Sequence, residues 1–231
     1  MLDDVGSGVD APAAAILETV QGEGGMNVAS AGWLRRVAAA CRAHGVLLIV
    51  DDIQMGCGRT GAFFGFEESG LEPDMVCLSK SISGYGLPLS LLLIRPELDV
   101  WAPAEHSGTF RGTNPAFVTG AAALRRYWSD DVLSDRVGVL GSRVAEALDA
   151  LRSARPDVVA RAKGRGLARG IEFADPASSR VVCAEAFRRG LLLETAGARE
   201  EVVRLLPSLT MSDEELDEGL RILTEVVLHA L

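Results

Sequence analysis

The chain has 231 residues, 48% hydrophobic and 24% charged, with a formal net charge of −9 and a pI near 4.9. That composition is globular, with enough length for one large domain or two smaller ones. The acidic balance argues against a nucleic-acid partner, and no apolar run approaches the roughly 20 residues that cross a bilayer. The opening MLDDVGSGVD lacks the basic-then-apolar pattern of a signal peptide, so a cytoplasmic location is expected.

In chain order, AAAILE (13–18) reads as a buried strand. Residues 31–45 place Leu34, Val37, Ala38 and Cys41 at helical spacing, with Ser30 as N-cap and Gly45 as the stop. VLLIVDD (46–52), MVCLSK (75–80) and LSLLLIR (89–95) are three further apolar runs. Continuous apolar strands with a helical crossover predict an α/β first half, with a largely parallel sheet covered on both faces. Beyond it, Leu133, Val137, Leu140, Val144, Leu148 and Leu151 lie on one stripe of a long amphipathic helix. LARGIEF (167–173), LLLET (191–195) and VVRLLP (202–207) read as strands, with a helix at 177–189 between the first two. The last helix opens on a capping box, Ser212 with Glu215, and continues through Leu216, Leu220, Leu223 and Val227. A domain division near residue 130 is expected, giving 1–130 and 131–231.

The four cysteines are widely spaced without a C-x-x-C pair and read as small buried hydrophobes. The three histidines have no ligand spacing, so no metal is expected.

Three strands finish on polar groups: Glu18, Asp51 and Lys80. Glu18 reads as structural. Of 23 basic residues, only Lys80 and Lys163 are lysine. An arginine stays protonated, whereas a lysine amine can act as a nucleophile and form an imine. Reactive groups collect beyond the carboxyl ends of parallel strands. An acid and an amine converging there suit pyridoxal phosphate, whose ring nitrogen needs an anionic partner and whose aldehyde needs an amine.

The stretches ILETVQGEGG (16–25), LLIVDDIQMGCGRTG (47–61), PDMVCLSKSISGYGLP (73–88) and HSGTFRGTNPAF (106–117) resemble the class III pyridoxal-phosphate aminotransferases. So do GRGLARGIEF (164–173) and VVRLLPSLTMSDEELDEGL (202–220). The resemblance implies a fold-type I transferase, with part of the large domain followed by a small C-terminal α/β domain. It assigns Lys80 as the Schiff-base lysine and proton carrier, Asp51 to the ring nitrogen, Ile53 to the ring face and Gln54 to the phenolic oxygen. Thr109 would bind the cofactor phosphate across a homodimer interface, making the active sites shared. Arg204 would clamp a substrate carboxylate, and Glu23 would act as the gate that pairs with it.

Within the class, DDIQMGCGRTG and SKSISGYGLP point to a branch that uses amino-acid and oxo-acid substrates. That branch moves an amino group between glutamate and aspartate 4-semialdehyde, giving 2-oxoglutarate and L-2,4-diaminobutyrate for ectoine or, alternatively, siderophore synthesis. Asp52 departs from the Glu usual in the wider class. Members of the class run to roughly twice this length, as two-domain chains do. A segment before residue 1, carrying the first strands and a phosphate-receiving helix start, is therefore expected to be absent. Met1 then reads as an internal methionine or the start of a truncated gene. A sheet of about four strands with an exposed edge would remain. Such a piece alone would be at most a folding and dimerisation unit.

Overall fold

The computed structural model describes every residue except 1, 2, 5, 7, 9 and 231, so Met1 lies outside the described residues. In chain order the first strands are β1 (Ala14–Leu17), β2 (Val20–Gln21), β3 (Asn27–Val28), β4 (Leu47–Asp51) and β5 (Met75–Leu78). They are followed by β6 (Leu91–Ile94), β7 (Val159–Arg165), β8 (Ala168–Phe173), β9 (Glu194–Ala196) and β10 (Val202–Leu205). The helices are α1 (Ala31–Ala43), α2 (Asn114–Tyr127), α3 (Val132–Ala154), α4 (Pro176–Arg188) and α5 (Asp213–His229). They form two compact units. No described helix is long and apolar enough to cross a membrane.

The first unit comprises Met1–Thr19, Ala29–Cys57 and Phe66–Ser129. Its four-stranded sheet runs β1-β4-β5-β6, with the first three strands parallel and β6 antiparallel. α1 forms where expected, with the Ser30 hydroxyl accepting from the Trp33 N–H, and provides the crossover from β1 to β4. Between β5 and β6 the chain makes only a short 3-10 turn, Lys80–Ser83. A parallel return needs a longer crossover, so β6 comes back antiparallel. Leu48, Val50, Val76 and Leu78 are buried on one face.

The expected cover on both faces is not found. On the face shared by Ile16, Ile49, Asp51, Cys77 and Leu92, Ile16 is 62% and Leu92 54% exposed. The reason is supply of helices: α1 packs on β4, whereas α2 packs on the Lys80–Ser83 turn. Nothing in the periodicity reading anticipates α2, which starts at Asn114 with Pro115 in its first turn.

The second unit comprises Val20–Val28, Gly58–Gly65 and Asp130–Leu231. Its sheet, β7-β8-β10-β9, is antiparallel throughout. Val137, Leu140, Val144 and Leu148 of α3 meet Ile171 and Phe173 of β8 and the buried face of α5 in one core. The capping box is present: Ser212 Oγ accepts from the Glu215 N–H, and Glu215 returns the bond to the Ser212 N–H.

A single cut near residue 130 misplaces two segments. The β2–β3 hairpin joins the second unit because fully buried Met26 packs over Gly170, where a Cβ would lie 3.0 Å from its Cγ. Residues 58–65 join it because the Leu167 N–H donates to Arg59 O and the Arg59 guanidinium donates to Pro207 O. β7 is also absent from the sequence reading, since Arg161, Lys163 and Arg165 mask its apolar alternation. It is held opposite β8 by charge: Arg161 and Lys163 donate to the buried Glu172 at 2.8 and 3.0 Å.

Two expectations follow from this packing. A Cβ at Gly120 on α2 would lie 2.8 Å from the Ile82 carbonyl oxygen. An exposed helical Gly→Ala change gains up to about 1 kcal/mol. Gly120→Ala should instead lose about 1–3 kcal/mol through overpacking, read from urea unfolding midpoints. The second concerns Glu172. Burial by itself would raise its pKa, but the hydrogen bonds from Arg161 and Lys163 outweigh burial and hold it below the usual glutamate value. Its contribution to stability is present above the unfolded-state pKa of about 4.3 and is lost as pH falls through the folded-state value. Glu172→Gln should cost about 2 kcal/mol at neutral pH and flatten the acid limb of a stability–pH curve measured by denaturant unfolding.

Candidate active site

β4 and β5 run parallel and adjacent, with Asp51 in register with Cys77 and the Asp52 N–H donating to Cys77 O at 3.0 Å. Both strands therefore leave the sheet at the same end. Asp51 ends β4, and Lys80 follows two residues after β5. Directly paired residues share a face, so the Asp51 carboxylate lies beside the Cys77 thiol. Burial first, and that carboxylate second, push the thiol pKa up. Asp51 Oδ1 accepts the Ile53 N–H at 3.1 Å, which turns the chain away from the strand and fixes the carboxylate.

Lys80 stands in the left-handed backbone region, at φ 51°. For any residue that carries a Cβ this conformation is strained by about 1 kcal/mol or more, and it persists only where the surroundings enforce it. Here they do. Ser79 Oγ donates to Leu89 O at 2.8 Å, and Ser83 Oγ receives the Gly86 N–H at 3.0 Å. α2 then lies so close that a Cβ at Gly84 would approach Ala123 Cβ to 2.4 Å. The Lys80 side chain is exposed and, among the described residues, its ammonium makes no ion pair or hydrogen bond.

Ile53 and Gln54 follow two and three residues after Asp51 and are half-buried. Buried Asp52 also faces Cys57, whose thiol is pushed up to about 12, by burial first and by Asp52 second. That thiol is no nucleophile, consistent with its reading as a small hydrophobe. Thr109 makes no hydrogen bond to these residues among the described contacts. It lies in an exposed segment beside Phe110, which is 97% exposed.

A second polar cluster lies wholly in the second unit. Arg204 of β10 is opposite Glu194 of β9 in the antiparallel register, and Arg204 Nη2 donates to Glu194 Oε2 at 2.6 Å. Arg204 Nη1 donates to Glu23 in the β2–β3 turn. That turn is pinned by the Gly197 N–H donating to Glu23 O at 2.9 Å, and by the close approach of Gly25, at φ 98°, to Gly197. The GEGG stretch is thus a hairpin turn. Arg204 has a side chain only 12% exposed, against 72% for Glu23 and 64% for Glu194. Burial alone would lower its pKa, but the two carboxylates outweigh burial and raise it. The sequence reading pairs Arg204 with Glu23 alone. The available signal for Glu194 was the carboxylate closing LLLET, which an antiparallel pairing with VVRLLP sets against the arginine.

The Aminotransferase class-III profile matches residues 7–227. A diaminobutyrate–2-oxoglutarate transaminase of Streptomyces anulatus is 59% identical over 227 residues, covering 98% of this chain and 54% of that protein. A protein of the same name from Nocardia farcinica is 57% identical, covering 98% of this chain and 52% of its own length. Among solved structures, an ornithine aminotransferase from Toxoplasma gondii, with partial occupancy of PLP at its active site, superposes with a TM-score of 0.85. The two are 32% identical, over 93% of this chain and 51% of that one. The chain spans about half the length of the curated relatives it matches. With the match running almost from end to end and the strand-end acid and amine in place, this chain belongs to the class-III aminotransferase family.

Proposed function

We propose that the protein is a pyridoxal-phosphate-dependent aminotransferase acting between glutamate and aspartate 4-semialdehyde, with L-2,4-diaminobutyrate and 2-oxoglutarate as products. The observation that carries the reading is the parallel β4–β5 pairing, which sends Asp51 and Lys80 out of the same sheet end. The substrate choice rests on identities of 57% and 59% to relatives named for that reaction.

The residues fit the cofactor. Lys80 offers an exposed amine committed to no carboxylate, which can attach to the aldehyde carbon. Asp51 offers a fixed carboxylate that holds a ring nitrogen in its protonated form. Ile53 would pack on the ring face and Gln54 would reach the phenolic oxygen. Thr109 would bind the phosphate of the cofactor held by the partner protomer in a homodimer, a role that its exposed segment leaves it accessible for. When bound, the cofactor supplies an electron-withdrawing ring that stabilises negative charge at the substrate carbon. Lys80 moves the proton at that carbon. Arg204, whose planar guanidinium suits a carboxylate, takes that of the substrate, and Glu23 releases it when the carboxylate arrives. We read the enzyme as cytoplasmic and as part of ectoine synthesis, with siderophore synthesis as the alternative that neighbouring genes discriminate.

The uncovered sheet face that bears Asp51 favours a second reading for these 231 residues taken alone: a folding and dimerisation unit without complete activity.

Adding pyridoxal phosphate to the full-length protein should produce a visible absorption band shifted from that of the free aldehyde, and Lys80→Ala and Lys80→Arg should both abolish the shift. Both variants should lower kcat by at least about 10³-fold, since neither can supply the nucleophile or carry the proton. A shifted band that survives in Lys80→Ala overturns the assignment. Aspartate 4-semialdehyde should be preferred over ornithine and 4-aminobutyrate, and preference for either control overturns the substrate choice alone. A shifted band in the longer protein but none in the 231-residue chain supports the second reading.

A further inference from the structure

Arg204 carries one positive charge, and two carboxylates occupy it. Glu23 accepts from Nη1 and Glu194 accepts from Nη2, so both terminal nitrogens are already engaged. The three side chains together carry a net charge of −1. An incoming carboxylate therefore meets repulsion at the group that should attract it, until a glutamate withdraws.

The two glutamates are held differently. Glu23 sits in a hairpin turn, whose backbone is tied to the β9–β10 strand pair by the Gly197 N–H donating to Glu23 O. Glu194 is the cross-strand neighbour of Arg204, directly opposite it in register. A directly opposite pair keeps its side chains within reach whatever the turn does. Arg204 and Glu194 also line a cavity of about 340 Å³ whose other walls include Leu191, Leu193, Leu205 and Leu220. Apolar walls on one side strengthen whatever charge the cluster retains. Withdrawal of Glu23 would leave Arg204 and Glu194 as a neutral pair, able to hydrogen-bond a carboxylate at Nη1 but offering it no net attraction.

We propose that Glu194 is a specificity-determining residue that restrains the affinity of Arg204 for carboxylates and favours substrates bearing an ammonium away from the reacting group. Resting on the reading of Arg204 as the carboxylate clamp, this assigns Glu194 a role distinct from that of Glu23: it stays when Glu23 leaves. A dicarboxylate must displace or tolerate it. A diamino acid such as 2,4-diaminobutyrate brings a second ammonium that it can accept.

The test uses the full-length protein loaded with pyridoxal phosphate, and glutarate as a non-reacting dicarboxylate probe followed by titration calorimetry. Glu194→Gln keeps a hydrogen-bonding side chain and removes the charge. It should tighten glutarate about two- to fivefold, the range of an exposed ion pair, and lower KM for 2-oxoglutarate by a similar factor. KM for 2,4-diaminobutyrate should rise, and Glu194→Asp should retain the parent selectivity. If Glu194 merely orients Arg204, Glu194→Gln leaves glutarate affinity unchanged or weakens it, and the proposal falls. Arg204→Ala separates the two layers: retained glutarate affinity refutes Arg204 as the clamp, and the proposal with it. Lost affinity in Arg204→Ala without tightening in Glu194→Gln refutes the role of Glu194 alone.

Discussion

The structure depends on one register, Asp51 beside Cys77 in a parallel pair. Side chains alternate along a strand, so a slip of one residue would turn Asp51 onto the face where Leu48 and Val50 are buried. An isolated carboxylate there would be expelled or neutralised. The apolar alternation of β4 therefore fixes the acid's position as a by-product of packing. Parallel direction matters equally. An antiparallel partner would leave the sheet at the far end and carry its lysine away. α1, capped by Ser30, supplies the crossover that keeps β1 and β4 parallel.

Register brings the chain to the right end, but it does not aim Lys80. The left-handed backbone at that residue does, at a cost met by tertiary contact rather than by local preference. α2 presents Gly120 and Ala123 to the turn, and these small residues admit the backbone of Ile82 and Gly84. A helix built of larger residues on that face would not seat the turn. These small residues thus act on the Lys80 amine at one remove, through the loop that carries it.

What the sequence revealed follows from which interactions are local. Ser30, the capping box at Ser212 and the apolar stripe of α3 are set by neighbours within a few positions, and each appears where the spacing puts it. Lys80 was conspicuous because the chain otherwise uses arginine. β7 was hidden because its stability comes from a strand outside its own window, with Arg161 and Lys163 answering Glu172. The placement of residues 20–28 and 58–65 in the second unit was hidden for the same reason: Met26 over Gly170 and Arg59 against Leu167 are pairings across more than a hundred residues. Glu194 needed the register of β9 on β10, which no periodicity contains.

The two lysines show why residue type alone is too weak an argument. Lys163 is 13% exposed, and its Nζ sits 3.0 Å from Glu172 in a strand pair that the ion contact helps to align. That ammonium is committed to holding β7 on β8, and a nucleophile cannot be drawn from it without leaving Glu172 short of a partner. Lys80 is exposed, makes no ion pair among the described residues, and stands on strained backbone beside the end of a parallel strand. An amine that must attach to an aldehyde and later release it has to be free of permanent partners. The same chain therefore spends one lysine on architecture and leaves the other available for chemistry, and the distinction lies in the carboxylate that each one meets.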